Sequence, residues 1–208
     1  MSDQPVAPWL WRSGAGLLGT IVVIGASLVI ALALGFNSPR PLRVPDWEAR
    51  ELPLVLESLP NATARQLLGQ PYADLTFEIE VTPLPGPGTS EHGLIYRAQD
   101  IDHYYAFAVG SDGYYAVLQM VGDEETKLVD WRLFPHIHRG LQANRLRVAC
   151  TGPTCDFFIN DEYATTTEDD EWLEGDVGLW VRGFDGASAV AQFLSARVWA
   201  EQGSTRDS

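Results

Sequence analysis

Glu78 and Glu80 alternate along FEIEV, so a strand there carries both carboxylates on one face. Such a pair approaches the roughly 5–5.5 Å spacing of nucleophile and acid in a retaining glycosidase. Solvated acids on an outer strand face are the plainer reading. Ser111 and Asp112 stand together in GSDG, with His103 the nearest histidine in sequence. Ser-Asp-Gly is turn chemistry, and no Gly-x-Ser-x-Gly run occurs in the chain. Asp100 and Asp102 share one turn, and Asp169, Asp170 and Glu171 form an acidic loop. Calcium takes about six to eight oxygens, and no full loop motif supplies them. Asp100 and Asp102 are therefore weak candidate calcium ligands, and no other metal or cofactor is expected. His136 and His138 alternate in FPHIHRG like strand residues, without a third ligand. None of these sets is complete, so no catalytic residue is assigned.

Cys150 and Cys155 bracket TGPT, a turn composition. A hairpin brings the two sulfurs to facing strand ends, where a disulfide fits. Free thiols and a zinc site stay open as alternatives, the zinc site short of about two ligands.

The aromatic residues carry more information. Tyr104, Tyr105, Tyr114, Tyr115, Trp131 and Trp180 lie in neighbouring segments. In HYYAFAV, Tyr105 and Phe107 share one face and Tyr104 takes the other; GYYAVLQM splits Tyr114 from Tyr115 in the same way. One tyrosine of each pair points to the core and one away. Sugar rings stack apolar C–H faces on exposed aromatics while rim polar groups hold the hydroxyls. The candidate ligand-binding residues are Arg97, Tyr104, Tyr114, Asp130, Trp131, Arg132 and Trp180. The competing reading is that these rings fill the core.

The elements that position them are strands. From residue 72 onward, period-2 segments alternate with turn residues: ADLTFEIEVTPL, GLIYRAQ, HYYAFAV, YYAVLQMV, KLVDWRLF, NRLRVAC, DFFIN, DVGLWVRGF and SAVAQFLSARVWA. PGPGTSEHG reads as a loop, and GSDG as a hairpin turn. Before residue 72, ELPLVLESLP reads as a first strand pair and NATARQLLGQ as a short helical turn. Many short strands without a competing helix predict a two-sheet sandwich or a barrel.

The chain has 208 residues, 14 Lys+Arg against 28 Asp+Glu, and a formal net charge of −14. Only Asp3, Arg12 and Arg40 are charged before residue 41, leaving 12 basic and 27 acidic groups in residues 41–208. That field repels phosphate backbones and anionic headgroups, which excludes nucleic acid as an expected partner. No residue from Ser13 to Pro39 is charged, and GAGLLGTIVVIGASLVIALALGF fills residues 14–36. At about 1.5 Å per residue this run exceeds a hydrocarbon core of roughly 30 Å. Trp9 and Trp11 precede it, where interfacial indoles are favoured. A cleaved signal, with Ala31-Leu32-Ala33 as its site, would want an apolar run of only roughly 7–15 residues. The expected organisation is a short tail (1–13), a transmembrane helix (14–36), a Pro-rich stalk (37–46), a β-sandwich (47–200) and a disordered polar tail (201–208).

The run GLIYRAQDIDHYYAFAVGSDGYYAVLQM resembles the core of concanavalin A-like (laminin G-like) jelly-roll domains. Asp74 opening ADLTFEIEV, then Trp131, NRLRV, the FFINDE turn, GDVGLWV and AQFLSARVWA continue the likeness in order over about residues 72–200. Similar domains occur in the 3-keto-disaccharide hydrolase family and in bacterial envelope proteins. The resemblance implies an all-β, two-sheet antiparallel jelly roll behind the N-terminal helix. It does not choose a function, because this fold hosts lectins, hydrolases and adhesion modules. Laminarinase-type hydrolases of the fold carry Glu-x-Asp-x-x-Glu; reading from Glu78, this chain has Glu80 and then Pro83, so the pattern is broken.

Arg40, Arg43 and Arg50 outnumber Arg12 across the helix, which mildly favours a cytoplasmic domain. The short N-terminal tail, the candidate disulfide and the envelope context of similar domains favour the other side. The expectation is a single-pass protein of the cell membrane with its domain outside the cytoplasm, binding a glycan or envelope component without turning it over. A glycoside hydrolase-type enzyme and a protein–protein module of a membrane assembly are the alternatives.

Overall fold

The computed structural model describes residues 43–86, 89–183 and 186–200. The expected transmembrane helix, both tails and most of the stalk lie outside the described residues. The chain divides into two units, 1–40 and 41–208, and all described residues belong to the second. Every helix or strand among them is a strand.

A seven-stranded sheet contains β1 (Trp47–Glu48), β2 (Leu54–Ser58), β4 (Leu75–Pro83), β9 (Asn144–Thr151), β10 (Thr154–Ile159), β11 (Glu162–Glu168) and β13 (Ala189–Ala200). Its order is β1-β13-β4-β9-β10-β11, with β2 also paired to β13. A six-stranded sheet runs β3 (Thr63–Leu67), β12 (Asp176–Gly183), β5 (Ser90–Ala98), β6 (His103–Gly110), β7 (Tyr114–Val121), β8 (Glu124–Leu133). All pairings are antiparallel.

Alternation decides which side chains meet between the sheets. Leu75, Phe77, Ile79 and Val81 of β4 face Tyr105, Phe107 and Val109 of β6 across one core. In β13 the inward parity changes from Phe193 to Ala196 and Val198, because a bulge falls between Phe193 and Ser195. Phe77, Phe107, Phe157 and Phe193 have no solvent exposure, each contributing about 2–3 kcal/mol of burial.

Four local expectations are corrected. ELPLVLESLP supplies one strand, β2, instead of a pair. NATARQLLGQ is not a helical turn: Thr63–Leu67 pairs with β12 as β3. Ser90 to His92, assigned to the loop PGPGTSEHG, open β5. His136 and His138 sit in the turn after β8 instead of alternating on a strand. Two strands, β1 and β11, went unread.

The expected hairpin of β9 and β10 forms, with Cys150 opposite Cys155 in register. The two are joined in a disulfide. Where the described chain begins, it is clasped to where it ends. The Trp199 indole donates to the Arg43 carbonyl at 2.8 Å, Ala200 N–H donates to Asp46 Oδ2 at 2.9 Å, and Arg43 donates to the Ala200 carbonyl.

Candidate functional site

The outer face of the six-stranded sheet, turned away from the core, is a trough. One register line crosses it through Arg65, Trp180, Gly93, Ala108 and Ala116. Small residues make the floor. Gly93 admits no side chain at all: a Cβ there would lie 2.0 Å from the Phe107 carbonyl oxygen and 2.9 Å from Ala108 Cα, both backbone. Ile95, Tyr104, Ala106, Leu118 and Trp180 complete a second apolar cluster on this floor, all without solvent exposure.

The walls are joined by charge. Arg182 of β12 donates to Glu91 of β5 and to Glu125 of β8, each at 2.6 Å. Four strand spacings of about 4.8 Å separate β12 from β8 in a flat sheet, farther than these two side chains reach together. The sheet must therefore curl, and Arg182 bridges the trough. Its guanidinium also lies over the Trp180 ring, 5.0 Å from the centroid. Burial alone would lower the Arg182 pKa, but Glu91 and Glu125 hold it above the usual value. Burial raises the Glu91 carboxyl, and Arg182 only partly offsets it.

The bridge separates two mouths. The first is a pocket of about 230 Å³ lined by Thr89, Glu91, Gly110, Asp112, Tyr114 and Trp131. Tyr114 is 40% exposed and Trp131 half-buried against the trough cluster. The turn before β7 places Asp112 there: Gly113, at φ +98, supplies the backbone that an L-residue rarely adopts, and Tyr114 N–H donates to Asp112 Oδ1 at 3.2 Å. The pocket thus offers two aromatic faces and two carboxylates.

The second mouth, about 390 Å³, is lined by Asn61, Thr63, Arg65, Tyr104, Met120, Asp123, Glu125 and Arg182, among others. Arg65 is fixed by Asp102 at 3.1 Å and by the Ile101 carbonyl at 2.7 Å. Its guanidinium lies 5.6 Å from the Tyr104 ring centroid.

The residues singled out from sequence are thus divided. Tyr114 and Trp131 come together at the first mouth. Tyr104 and Trp180 do point away from the core, but the curled sheet buries them, so neither presents a ring to solvent. Arg97 is not a rim residue. Its backbone is at φ +51, and the side chain, 1% exposed, runs to the Trp172 carbonyl at 3.4 Å and the Gly152 carbonyl. It ties the acidic loop to the cysteine turn, and burial lowers its pKa. Asp130 pairs with Lys127 at 2.8 Å, Arg132 is exposed, and neither lines a mouth.

Asp100 Oδ1 accepts from the backbone N–H groups of Asp102 and His103, both at 2.8 Å, and contacts the His103 ring. Those hydrogen bonds, the backbone one from Asp102 first, hold its carboxyl below the usual range. No group of three or more His, Cys, Asp or Glu side chains poised for a metal occurs among the described residues. Glu78 and Glu80 lie on the outer face of the other sheet, where Glu78 meets Arg147 at 3.3 Å. Ser111 Oγ accepts from Ser90 N–H at 3.3 Å, as a turn residue.

Sequence reasoning missed Arg65, Glu91 and Arg182. Asp112 was read only as a turn residue. Its place beside two tyrosines in GSDGYY was the available signal; the cross-strand ion bridge left none.

No family model matches the chain, and no curated protein matches it either. Solved structures do. The carbohydrate-binding module CBM66 from Bacillus subtilis superposes with a TM-score of 0.60 at 19% identity, over 69% of this chain and 84% of its own. A functionally unknown protein from Saccharomyces cerevisiae does so with a TM-score of 0.52 at 12% identity, over 78% of this chain and 96% of its own. The galectin LEC-6 from Caenorhabditis elegans reaches 0.47 at 13% identity, over 73% and 95%. At these identities the likeness shows the fold alone: the described domain is a two-sheet, antiparallel, concanavalin A-like jelly roll.

Proposed function

We propose that the protein is anchored in the cell membrane by residues 14–36, with its domain outside the cytoplasm, and binds a glycan there without turning it over. The observation that carries the reading is the first mouth. Tyr114 and Trp131 offer ring faces to a sugar, while Asp112 and Glu91 accept from its hydroxyls. A carbohydrate-binding module shares the fold, which supports the reading by analogy alone. A binding role is favoured over hydrolysis because Glu91 is committed to Arg182. A retaining pair needs two carboxyl groups free to act as acid and nucleophile.

The test is a glycan array probed with the full chain in a detergent that carries no sugar headgroup. Binding is expected, and Tyr114→Ala or Trp131→Ala should each weaken it at least about 10-fold, or roughly 1.4 kcal/mol. The absence of any sugar binding, or release of reducing ends from a bound glycan, overturns the reading. Protease treatment of intact cells checks the topology: the domain should be digested while the apolar segment stays with the membrane.

A further inference from the structure

Tyr104 has no solvent exposure, and its side chain lines the second mouth. The Trp180 indole N–H and the Arg65 guanidinium are both turned toward its hydroxyl oxygen. Both groups only donate, so the proton of the hydroxyl itself has no acceptor among the described residues. A buried hydroxyl whose proton is unmatched is destabilising. An acceptor atom arriving through the second mouth would satisfy it.

We propose that the second mouth is a separate subsite for a neutral, hydroxyl-rich ring, a sugar residue whose oxygen accepts from the Tyr104 hydroxyl. The proposal rests on the glycan reading of this face, but not on the Tyr114 pocket. Charge selects the ligand class. Arg65 is matched by Asp102, and Arg182 by Glu91 and Glu125, while Asp123 adds a further carboxylate to the rim. No unmatched cation invites a phosphate or a uronate, and the rim acids repel one. A hydroxyl group both donates and accepts. It can therefore serve the donors Tyr104 and Arg65 together with the acceptors Asp123 and Glu125, which a purely accepting anion cannot.

The experiment is calorimetric titration of the full chain, in a detergent without sugar, with methyl glycosides of glucose, galactose, mannose and fructose. Glucuronate and glycerol phosphate serve as the anionic arms. Each probe is run on the natural chain, on Tyr104→Phe, and on a Tyr114→Ala/Trp131→Ala double variant. At least one neutral glycoside should bind the double variant, and Tyr104→Phe should weaken it roughly 3- to 10-fold, the loss of one hydrogen bond. The same Tyr104→Phe change should leave the melting temperature of the unliganded chain little changed, since the proton of that hydroxyl has no acceptor there. Asp123→Ala, on the exposed turn between β7 and β8 at the rim of the mouth, should give a comparable loss of affinity without disturbing the fold. Affinities for every glycoside that ignore both Tyr104→Phe and Asp123→Ala overturn the subsite, even if the Tyr114 pocket proves sound. Preference for glucuronate or glycerol phosphate also overturns it. Binding that survives in the double variant undiminished, but depends on Tyr104, would sink the Tyr114 pocket and keep the subsite.

Discussion

On the outer face of the seven-stranded sheet, Glu78 and Arg147 are each 1% exposed and meet at 3.3 Å. Asp161 takes the same Arg147 nitrogen at 3.0 Å, and the Arg145 and Arg197 guanidinia stand 3.9 Å from Glu78. On the outer face of the six-stranded sheet the buried Glu91 is matched by Arg182, while the proton of the neutral, buried Tyr104 hydroxyl has no acceptor among the described residues. The difference follows from cost. A buried charge must be matched or the fold fails, whereas a neutral dipole can be left orphaned at about 1–3 kcal/mol. The first face therefore contains its own counter-charges, although Arg147 Nε and Nη2 are left over among them. The second face differs in that its leftover group, the Tyr104 hydroxyl, lines an open mouth. Binding capacity is better located where a leftover group lines an opening than where charges are densest.

The largest expected effect tests the floor of the second face. Gly93→Ala puts a Cβ against two backbone atoms that cannot rotate away, and should cost more than about 4 kcal/mol; a thermal melt near the natural value would mean that β5 and β6 can separate. Arg147→Ala probes the matched face. Removing one partner of a buried pair should cost about 3 kcal/mol, read as a lower midpoint in urea, while Tyr104→Phe on the other face should cost less than about 1 kcal/mol.

His92 sharpens the comparison through pH. It is fully buried, and desolvation lowers its pKa from 6.5 to about 4. Between those values the unfolded chain takes up a proton that the folded chain refuses. Stability is then complete above about pH 6.5 and falls toward pH 4, by about 3 kcal/mol in all. Unfolding midpoints across that window should show the loss, and His92→Leu should remove this component of it. A natural chain whose stability is flat over the window would show that the ring finds a partner after all.

Sequence made the core strands legible because burial on one face imposes alternation. Leu75 to Val81 in β4 follows it without a break, whereas Tyr105 to Val109 in β6 is apolar throughout because both of its faces are buried. β3 was misread because Thr63–Leu67 is short and only half-buried, and becomes a strand through pairing with β12. β11 went unread because ATTT carries no apolar period and is held to β10 by the ladder. That Tyr104 and Tyr105 take opposite faces was legible; the burial of both Tyr104 and Trp180 was not. Alternation tells which side of a sheet a residue takes, but curvature decides whether that side meets water. The Arg182 bridge joins residues 57 and 91 positions apart, and nothing local announces such a pairing.

The clasp between Arg43 and Ala200 carries a mechanical consequence. It sits at the end of the sandwich where β13 finishes, while Glu91, Gly110 and Asp112 lie at the end where β13 starts. Twelve residues of β13 span about 35–40 Å between those ends. A tether acting on Arg43 and a load hung in the Tyr114 pocket would pull lengthwise along the strands. The β13–β4 ladder would then be sheared, with its hydrogen bonds resisting together, instead of being unzipped one at a time from an edge.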